Sequence, residues 1–468
     1  MLGRIAVNQF DLDVFILTAV GREEITQEAR RERGEYPDLD TPVFNAADRG
    51  DDLGASIDLL QALSNTNVEL LAREREEYTA VMSLGGILRT GQHDGKLYLD
   101  LADDTWRAVE IDRHGSRTVT RPPVNFRRQR GMLPLPAPEG GGKISDLRPF
   151  LNVSDEDDFV LVVAWLLAAL RPVGPYPLLV LAGEPGSAKS TAARILRGLI
   201  DPNVSALRSS PREERDCWIA ASNAGVLAFD NLSSIPTWLS DALCRVASGG
   251  GFATRQLHTD DDEILFEAVC PVILTAVGDV IVQSDLADRS IMIELPAIPD
   301  SERRNEDGMR RAFHEARPKI LGALLDAVAH GLATEHEVVL ERLPRLADFA
   351  VWAAACETAF VPAGTIMAAF QRNTNEAVAS VLESDAVCVA MLAFLDANQG
   401  QWKGKPQKLL ADIRPWAPEG ALRERNWPRN PQTLSNRLRL ATPTLRQHGV
   451  QIIKGKTNGE RFIQLIRD

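Results

Sequence analysis

The sequence predicts an α/β protein built around a parallel β-sheet with helices on both faces, and three stretches of the chain support this. Between about residues 150 and 296, apolar runs of strand length alternate with helical segments, which is typical of a parallel sheet. Residues 301–397 have only helical patterns, and the chain then ends in short helices and two strands. We therefore expect a sheet-based core, a helical lid and a small C-terminal module.

The chain before the core is predicted to have two parts. Residues 1–90 contain charged, helix-favouring stretches without a motif of known chemistry, so a mostly helical region is expected. Residues 91–145 contain short alternating runs that favour β-hairpins. Their final stretch, residues 131–143, is rich in proline and glycine, which is typical of a flexible linker. The predicted divisions are 1–90, 91–145, 146–300, 301–397 and 398–468.

The charge of the chain is unevenly distributed. The chain has 52 Lys plus Arg against 65 Asp plus Glu, a net charge of −13, which excludes a protein that coats nucleic acid with its whole surface. Residues 401–468, however, contain 14 basic and 5 acidic side chains, so this tail carries +9 and the first 400 residues carry −22. We expect any contact with nucleic acid to involve the tail.

Cysteine spacing and hydropathy indicate a cytoplasmic protein that does not enter a membrane. The five cysteines are far apart and form no Cys-x-x-Cys pair, so neither a disulfide framework nor a zinc knuckle is indicated. The longest apolar run, residues 159–170, has 12 residues, whereas roughly 20 are needed to span a bilayer. No secretory signal is evident at the N-terminus.

A phosphate-binding motif follows the first predicted strand of the core. Strand, glycine-rich loop and helix occur in the order that directs backbone N–H groups and a helix N-terminus at phosphates. Lys189 is expected to contact the β- and γ-phosphates of ATP, and the Ser190 hydroxyl to bind Mg²⁺. Ala188 occupies a position that is usually glycine, and its methyl group is tolerable there if the residue keeps ordinary helical backbone angles. The predicted nucleotide-binding residues are Gly183, Glu184, Pro185, Gly186, Ser187, Ala188, Lys189, Ser190 and Thr191.

The second predicted strand of the core ends in a carboxylate. Four apolar residues lead to Asp230, which we expect to hold the metal ion together with Ser190. Asn231 follows, at the position where many ATPases have a glutamate that activates water. Because an amide cannot accept a proton at neutral pH, either Asp241 or Glu184 serves as the base or hydrolysis is slow.

The order of the motifs resembles that of a known family. After the loop and Asp230, a third strand ends in Thr275, a candidate sensor of the γ-phosphate, and residues 285–296 then contain Arg289. This order resembles the AAA+ ATPases, and most closely the superfamily 3 and minichromosome-maintenance-like helicases of phages, prophages and other mobile elements. The strings GSAKST, AFDNLS, SDALCR, GGGFATR and DLADRS are similar to the same group. The resemblance covers roughly residues 150–395 and implies an AAA+ core with a helical lid.

The resemblance also implies roles for two arginines. Arg289 matches the arginine that reaches the ATP of the adjacent subunit in related rings, which implies a composite active site and a hexamer. An ion pair between Arg289 and Asp285 or Asp288 is the alternative. Arg345 resembles the second sensor arginine at the start of a lid helix, and an ordinary helix-start arginine is the alternative there.

A β-hairpin is predicted just before the strand that ends in Thr275. Superfamily 3 helicases carry at this place the pore hairpin that grips single-stranded DNA. Arg255 and His258 are therefore expected to contact phosphate or sugar, although three aspartates at residues 260–262 would repel DNA.

The basic tail is predicted to be a winged helix that binds DNA. Helical patterns and two strands occur in the order helix, helix and β-wing, at residues 431–440, 442–447, 450–454 and 461–466. The helix is expected to bury Leu434, Leu438 and Leu440. The candidate DNA contacts are Arg437 and Arg439, expected to face outward from the helix, and Lys454 and Lys456. A winged helix that binds protein is the alternative.

These features together favour an ATP-driven, ring-forming DNA helicase or translocase that replicates a mobile element. The expected cofactors are ATP and Mg²⁺, and the expected partners are single- and double-stranded DNA, further copies of the chain and other replication proteins. The alternative is a DNA-binding AAA+ ATPase that remodels a partner complex without unwinding. A primase using Asp100 with Asp103 or Asp104 is disfavoured because no polymerase-type domain fits, and a small-molecule kinase has no use for an arginine acting in trans.

Overall fold

A computed structural model describes residues 88–255, 263–277, 284–423, 427–457 and 460–467. The chain divides into two compact units, Met1–Leu84 and Gly85–Asp468. The described residues all belong to the second unit, so the helices predicted for residues 1–90 lie almost wholly outside them.

An antiparallel sheet precedes the core. Its strands are paired in chain order, and they are β1 (Thr90–His93), β2 (Lys96–Asp100), β3 (Ala108–Asp112) and β4 (Gly115–Val119). The predicted hairpins are therefore present. Asp100, a residue of the primase alternative, is bound by Arg128, whose Nε and Nη2 donate to its carboxylate at 2.9 and 2.7 Å. Asp103 is bound by Arg107 in the same way, at 2.6 Å, so both acids serve in local ion pairs.

The core contains a parallel sheet in the strand order β10-β5-β9-β6. Its elements are α1 (Glu156–Ala169), β5 (Leu178–Ala182), α2 (Lys189–Ile200), α3 (Glu214–Ser222), β6 (Leu227–Leu232), α4 (Thr237–Ser248), β7 (Gly250–Arg255), β8 (Glu263–Ala268), β9 (Val272–Ala276), α5 (Ser284–Ala287) and β10 (Ser290–Glu294). Alternate strand residues enter two buried clusters, one shared with α1 and α2 and the other with α3 and α4. The predicted parallel sheet with helices on both faces is confirmed. Strands β7 and β8 form the hairpin expected before β9.

Helices follow the core, as predicted. They are α6 (Glu306–Thr334), α7 (Ala347–Glu357), α8 (Thr365–Ser384) and α9 (Ala386–Ala397). The amide of Asn373 on α8 accepts a hydrogen bond from the N–H of Met292 at 2.9 Å and donates to its carbonyl at 2.6 Å. Helix α8 thereby covers the outer edge of β10, where unpaired backbone groups would otherwise be exposed.

The segment predicted as a flexible linker, residues 131–143, packs against this assembly. Leu135 is buried, and its N–H donates to the carbonyl of Leu101 at 2.9 Å. A β carbon on Gly142 would stand 2.3 Å from the carbonyl oxygen of Lys319 on α6. The prediction of flexibility was wrong because glycine here permits close contact between two backbones.

The C-terminal module combines two helices with a three-stranded sheet of order β11-β13-β12. Its elements are β11 (Gln401–Gly404), α10 (Pro406–Ile413), α11 (Pro431–Gln447), β12 (Val450–Thr457) and β13 (Glu460–Arg467). The two helices predicted at 431–440 and 442–447 are one helix, α11, because its buried stripe continues across the predicted break. That stripe consists of Leu434, Leu438, Ala441 and Leu445. The side chain of Leu440 lies outside the described part. Helix α9 packs into the same buried cluster.

All five cysteines are buried and free, so the expected absence of a disulfide framework agrees with the structure. Among the described residues, no helix combines the length and apolar character needed to cross a membrane.

Candidate functional site

The glycine-rich loop connects β5 to α2 at the carboxyl edge of the parallel sheet. Gly183 has a φ of 143° and Gly186 a φ of 90°, conformations that side chains rarely allow. A β carbon on Gly183 would also stand 2.4 Å from the carbonyl oxygen of Leu295. Both glycines are therefore required by the backbone of the loop.

Ala188 has φ 64° and ψ 25°, which is a left-handed conformation. The condition under which its methyl group would be tolerated without strain, ordinary helical angles, is therefore not met. The chain turns sharply here to begin α2 at Lys189, and the residue before the helix absorbs the turn. A left-handed conformation in a residue other than glycine costs roughly 1–2 kcal/mol, and such strain is typical of ligand-binding loops.

The ammonium group of Lys189 is held inside the curve of the loop. Its Nζ donates to the carbonyls of Gly183 at 2.8 Å and Glu184 at 2.7 Å, and the residue is only 8% exposed. Burial lowers the pKa of Lys189, while the nearby carboxylate of Asp230 acts in the opposite direction. A positive charge is thus fixed beside the loop N–H groups.

The polar side chains predicted at two strand ends meet the start of α2. The hydroxyls of Ser190 and Thr275 donate to the same oxygen of Asp230, Oδ1, at 2.7 and 2.5 Å. The backbone N–H of Asn231 donates to Thr275 Oγ1 at 2.8 Å. A hydroxyl and a carboxylate in this arrangement are ligands that Mg²⁺ accepts in phosphate sites. Among the described residues there is no cluster of three or more His, Cys, Asp or Glu side chains placed to hold a metal, so a cation here would rely on Ser190, Asp230 and the phosphates themselves.

Asn231 has a φ of 57° and lies where the pairing of β6 with β9 shifts register, between Phe229 and Leu232. Asparagine tolerates this left-handed conformation better than most residues. Its side chain is exposed at the carboxyl edge. Of the two carboxylates weighed as bases, Glu184 lies in the loop, whereas Asp241 lines a cavity of about 230 Å³ beside Arg289.

Arg289 lies at the opposite edge of the sheet. Ser290, the next residue, pairs with Leu178 at the start of β5, while Glu294 pairs with Ala182 immediately before the loop. Five residues of strand, or roughly 16 Å at 3.3 Å per residue, therefore separate Arg289 from the loop of its own chain. An arginine side chain does not extend that far.

Arg289 and Arg345 share one carboxylate, that of Asp285, at this amino edge. Asp285 lies 3.6 Å from Arg289 Nε through Oδ2 and 2.5 Å from Arg345 Nη2 through Oδ1. Asp288 contacts Arg345 at 3.2 Å. Burial alone would lower the pKa of Arg345, but the hydrogen bonds that it donates to the two carboxylates outweigh burial and raise that pKa above its ordinary value. Of the two ion pairs weighed as an alternative for Arg289, the one with Asp285 is present, whereas Asp288 pairs with Arg345.

The C-terminal module presents a basic face. Arg439, Lys454 and Lys456 are exposed. Lys454 and Lys456 lie two residues apart on the same face of β12, and Lys456 pairs across the sheet with Arg461. Burial and the charge of Arg439 lower the pKa of Lys454, which places these two cations close together. Arg461, which sequence reasoning did not select, extends the face because strand register brings it beside Lys456.

The other predicted DNA contacts, Arg437 in the C-terminal module and Arg255 and His258 in the hairpin, are not part of this basic face. Arg437 does not simply face outward, because its Nε lies 3.2 Å from Asp385 at the N-terminus of α9, and the pair ties α11 to that helix. Arg255 ends β7 of the hairpin, where its backbone pairs with Glu263, but its side chain and all of His258 lie outside the described part of the chain.

Asn152 was missed from the sequence. Its amide donates to the carbonyl of Ser187 at 3.1 Å and to that of Pro296 at 2.7 Å, so it ties the glycine-rich loop to the chain that leaves β10. Local sequence carries no signal for a contact this distant.

Comparison with protein-family models shows which family the chain belongs to. Residues 144–375 match the model of the actinomycete integrative conjugative element replication protein, RepA, and residues 387–468 match the RepA C-terminal domain of the same elements. The chain belongs to this family. It is thus a replication protein of a conjugative element, a class of mobile genetic element, as the sequence led us to expect. The loop and both arginines of the amino edge lie in the first match of this RepA family, and the basic face lies in the second.

Two solved structures similar to this RepA family member are apo forms of the NrS-1 C-terminal region. One covers 84% of this chain and 98% of that chain, and the other covers 78% and 95%, each with 11% identity and a TM-score of 0.35. A search of curated proteins gives no match.

Proposed function

We propose that this replication protein is an ATP-driven, ring-forming DNA helicase or translocase with an AAA+ core. The observation that carries the proposal is the convergence of Lys189, Ser190 and Asp230 on a loop whose two glycines have positive φ angles. Loop N–H groups and the N-terminus of α2 favour a bound polyphosphate. Lys189 supplies the positive charge that complements it.

Mg²⁺ bound at this site would neutralise the phosphates and polarise the terminal one. In the proposed mechanism Ser190 and Asp230 hold the cation, and the Ser190–Asp230 hydrogen bond of 2.7 Å already keeps the two side chains together. Thr275 fixes the end of β6 through the N–H of Asn231 at 2.8 Å. It thereby positions the Asn231 amide, which orients a water without accepting its proton. Glu184 is then the nearer of the two candidate bases.

Ring formation explains the arginines of the amino edge. Because Arg289 lies about 16 Å from its own loop, by the strand spacing of roughly 3.3 Å per residue, it reaches a nucleotide only on a neighbouring subunit. An arginine supplied in trans contributes on the order of 10³-fold to phosphoryl transfer in related systems. We assign Arg345 to the same intersubunit surface, since it shares Asp285 with Arg289.

DNA binding is assigned to the basic face and, within the ring, to the β7–β8 hairpin. The C-terminal module, which we assign as a winged helix, has four positive charges on this face, from Arg439, Lys454, Lys456 and Arg461. Such a face binds phosphates through counterion release, so affinity should fall steeply with salt.

Strand displacement tests the proposal. A forked DNA duplex is incubated with the full chain and Mg-ATP, and the released strand is measured at protein concentrations that form rings. We expect displacement by the wild type and by Arg194→Ala, an exposed residue of α2, and none by Lys189→Ala. Hydrolysis of ATP without displacement under these conditions would exclude the helicase and favour the alternative, a DNA-binding ATPase that remodels a partner complex.

A further inference from the structure

After β10 the chain runs back across the glycine-rich loop. The N–H of Leu295 donates to the carbonyl of Ala182 at 2.9 Å, and the carbonyl of Leu295 closes against Gly183. A short 3₁₀ turn, Asp300–Glu302, follows, and Arg303 is the next residue. Nη2 of Arg303 lies 3.5 Å from the point where a β carbon would stand on Gly186. A guanidinium group therefore lies over the middle of the loop, contributed by the same chain.

Arg303 is held there only weakly. Its ion pair in the described part of the chain is with Asp300, three residues earlier, at 3.0 Å, and the two side chains are 61% and 90% exposed. Exposed pairs of this kind contribute about 0–1 kcal/mol, so the carboxylate competes poorly with a phosphate for the guanidinium. The neighbouring Arg304 is directed elsewhere, because its Nη1 donates to the carbonyl of Pro149 at 3.0 Å. Two adjacent arginines thus differ in what they face.

We propose that Arg303 binds the polyphosphate of the nucleotide held in its own loop. The inference rests on the proposed nucleotide site and adds to it a second positive charge from the same subunit. A guanidinium presents parallel N–H donors that fit phosphate oxygens in pairs, which an ammonium group does not. Arg303 acts in cis, whereas Arg289 lies at the far edge of the sheet.

The position of Gly186 indicates which part of the nucleotide is bound. Gly186 lies in the middle of a loop whose backbone N–H groups surround phosphates in motifs of this order, and Lys189 reaches the β- and γ-phosphates from within it. A group lying over Gly186 faces the phosphate chain. The binding contribution of Arg303 should therefore persist when the base and sugar are removed.

Binding of ATP and of inorganic triphosphate, each with Mg²⁺, tests this. Titration calorimetry on the full chain compares wild type, Arg303→Ala, Arg303→Lys and, as matched control, Arg304→Ala. We expect Arg303→Ala to weaken both ligands about 10-fold, the size of one charge-assisted hydrogen bond. Arg303→Lys should recover part of the loss, and Arg304→Ala should bind both ligands like the wild type.

Three outcomes would overturn the inference. Equal affinities of Arg303→Ala and Arg304→Ala would show no contact with the nucleotide, and a loss for ATP without a loss for triphosphate would show a contact with base or sugar. If Arg303→Ala loses folded structure by circular dichroism together with binding, and Arg303→Lys does the same, the role of Arg303 is structural. Lys189→Ala separates the inference from the proposal beneath it: wild-type ATP affinity in that variant would exclude the nucleotide site itself, whereas its loss beside an unaffected Arg303→Ala would exclude only the contact proposed here.

Discussion

The two edges of the central sheet differ in the chemistry they carry. At the carboxyl edge, the hydroxyls of Ser190 and Thr275 converge on Asp230 while Lys189 is enclosed by loop carbonyls. At the amino edge, the positive charges of Arg289 and Arg345 are shared with acidic neighbours. Under the proposed function, the first edge binds phosphate and a cation, and the second stabilises developing negative charge.

Under the proposed function, neither edge is a complete phosphoryl-transfer site within one chain. The separation follows from the register of β10 against β5, which is fixed by backbone pairing. If the proposed function holds, the missing half of each site comes from the amino edge of a neighbouring copy. In an isolated subunit, the two arginines then pair with Asp285. In the ring, a phosphate of the neighbouring subunit's nucleotide would replace that carboxylate as their partner.

Replacing Lys189 should have the largest effect, because it removes the enclosed charge of the carboxyl edge. We expect Lys189→Ala to lower the steady-state release of phosphate from ATP by on the order of 10³-fold. Arg194→Ala, exposed on the same helix, should keep the wild-type rate. A Lys189→Ala rate within a few-fold of the wild type would contradict the assignment of this edge to the nucleotide.

Replacing Arg289 should have the next largest effect and tests whether the two edges meet between subunits. Arg289→Ala is expected to reduce ATP hydrolysis by about 10²–10³-fold. Mixed with Lys189→Ala subunits, it should regain measurable activity, since some interfaces then combine an intact loop with an intact arginine.

The controls for this mixing experiment are each variant alone and a mixture of Arg289→Ala with Arg345→Ala. The latter pair should give less recovery, because both changes affect the amino edge. No recovery in the first mixture would mean that the Arg289–Asp285 pair is structural only.

Thr275 connects β9 to β6 at the carboxyl edge, and its removal should have an intermediate effect. Thr275→Val keeps the shape of a side chain that is 1% exposed, but it removes one of the two hydroxyls that donate to Asp230 and leaves the N–H of Asn231 without its acceptor. We expect kcat to fall about 10-fold with little change in ATP affinity, because positioning rather than binding is lost. Thr275→Ser, which retains the hydroxyl, should approach the wild type, and an equal loss in both variants would contradict this role.

The sequence predicted the carboxyl edge better than the amino edge, for physical reasons. Loop, Ser190 and Asp230 each follow from a local pattern, and parallel strands bring their ends together whatever the rest of the chain does. The cluster at the amino edge depends on Arg345, which lies 60 residues beyond Asp285 in the sequence. Only the packing of α7 decides that contact.

Local sequence led to two wrong predictions, one of a flexible linker and one of a break between two helices. Residues 131–143 have the content of a linker, yet Gly142 lies against the backbone of α6. Residues 431–440 and 442–447 were predicted as two helices, whereas the buried stripe from Leu434 to Leu445 keeps α11 continuous. In both cases tertiary contacts, which composition does not encode, determined the outcome.

The carboxyl edge should also respond to pH through Asp158. Burial and the charges of Asp155, Glu376, Asp157 and Glu294 raise the pKa of this carboxyl to about 7. The folded chain therefore holds the proton more tightly than the unfolded chain. The stability that this provides is complete below the unfolded pKa of about 4 and is lost as pH rises through 7.

Asp158→Asn removes the ionisation and should flatten this dependence. We expect its urea midpoint to exceed that of the wild type by more at pH 8 than at pH 5. Asp326→Asn, an exposed change on α6, serves as control and should follow the wild type at both values. A wild-type pH profile in Asp158→Asn would show that the acidic surroundings of Asp158 do not couple to folding.

Ala188 provides the smallest expected effect and separates strain at the carboxyl edge from chemistry there. Its φ of 64° costs an alanine more than a glycine, and the greater freedom of an unfolded glycine offsets part of the gain. We expect Ala188→Gly to raise the free energy of unfolding by about 1 kcal/mol, whereas Ala368→Gly, an exposed position within α8, should lower it by about 1 kcal/mol. Urea unfolding of both variants measures the difference in sign. If Ala188→Gly is destabilising to the same degree as Ala368→Gly, the loop is not strained at this residue, and the alanine is then retained for a reason other than tolerance of the turn.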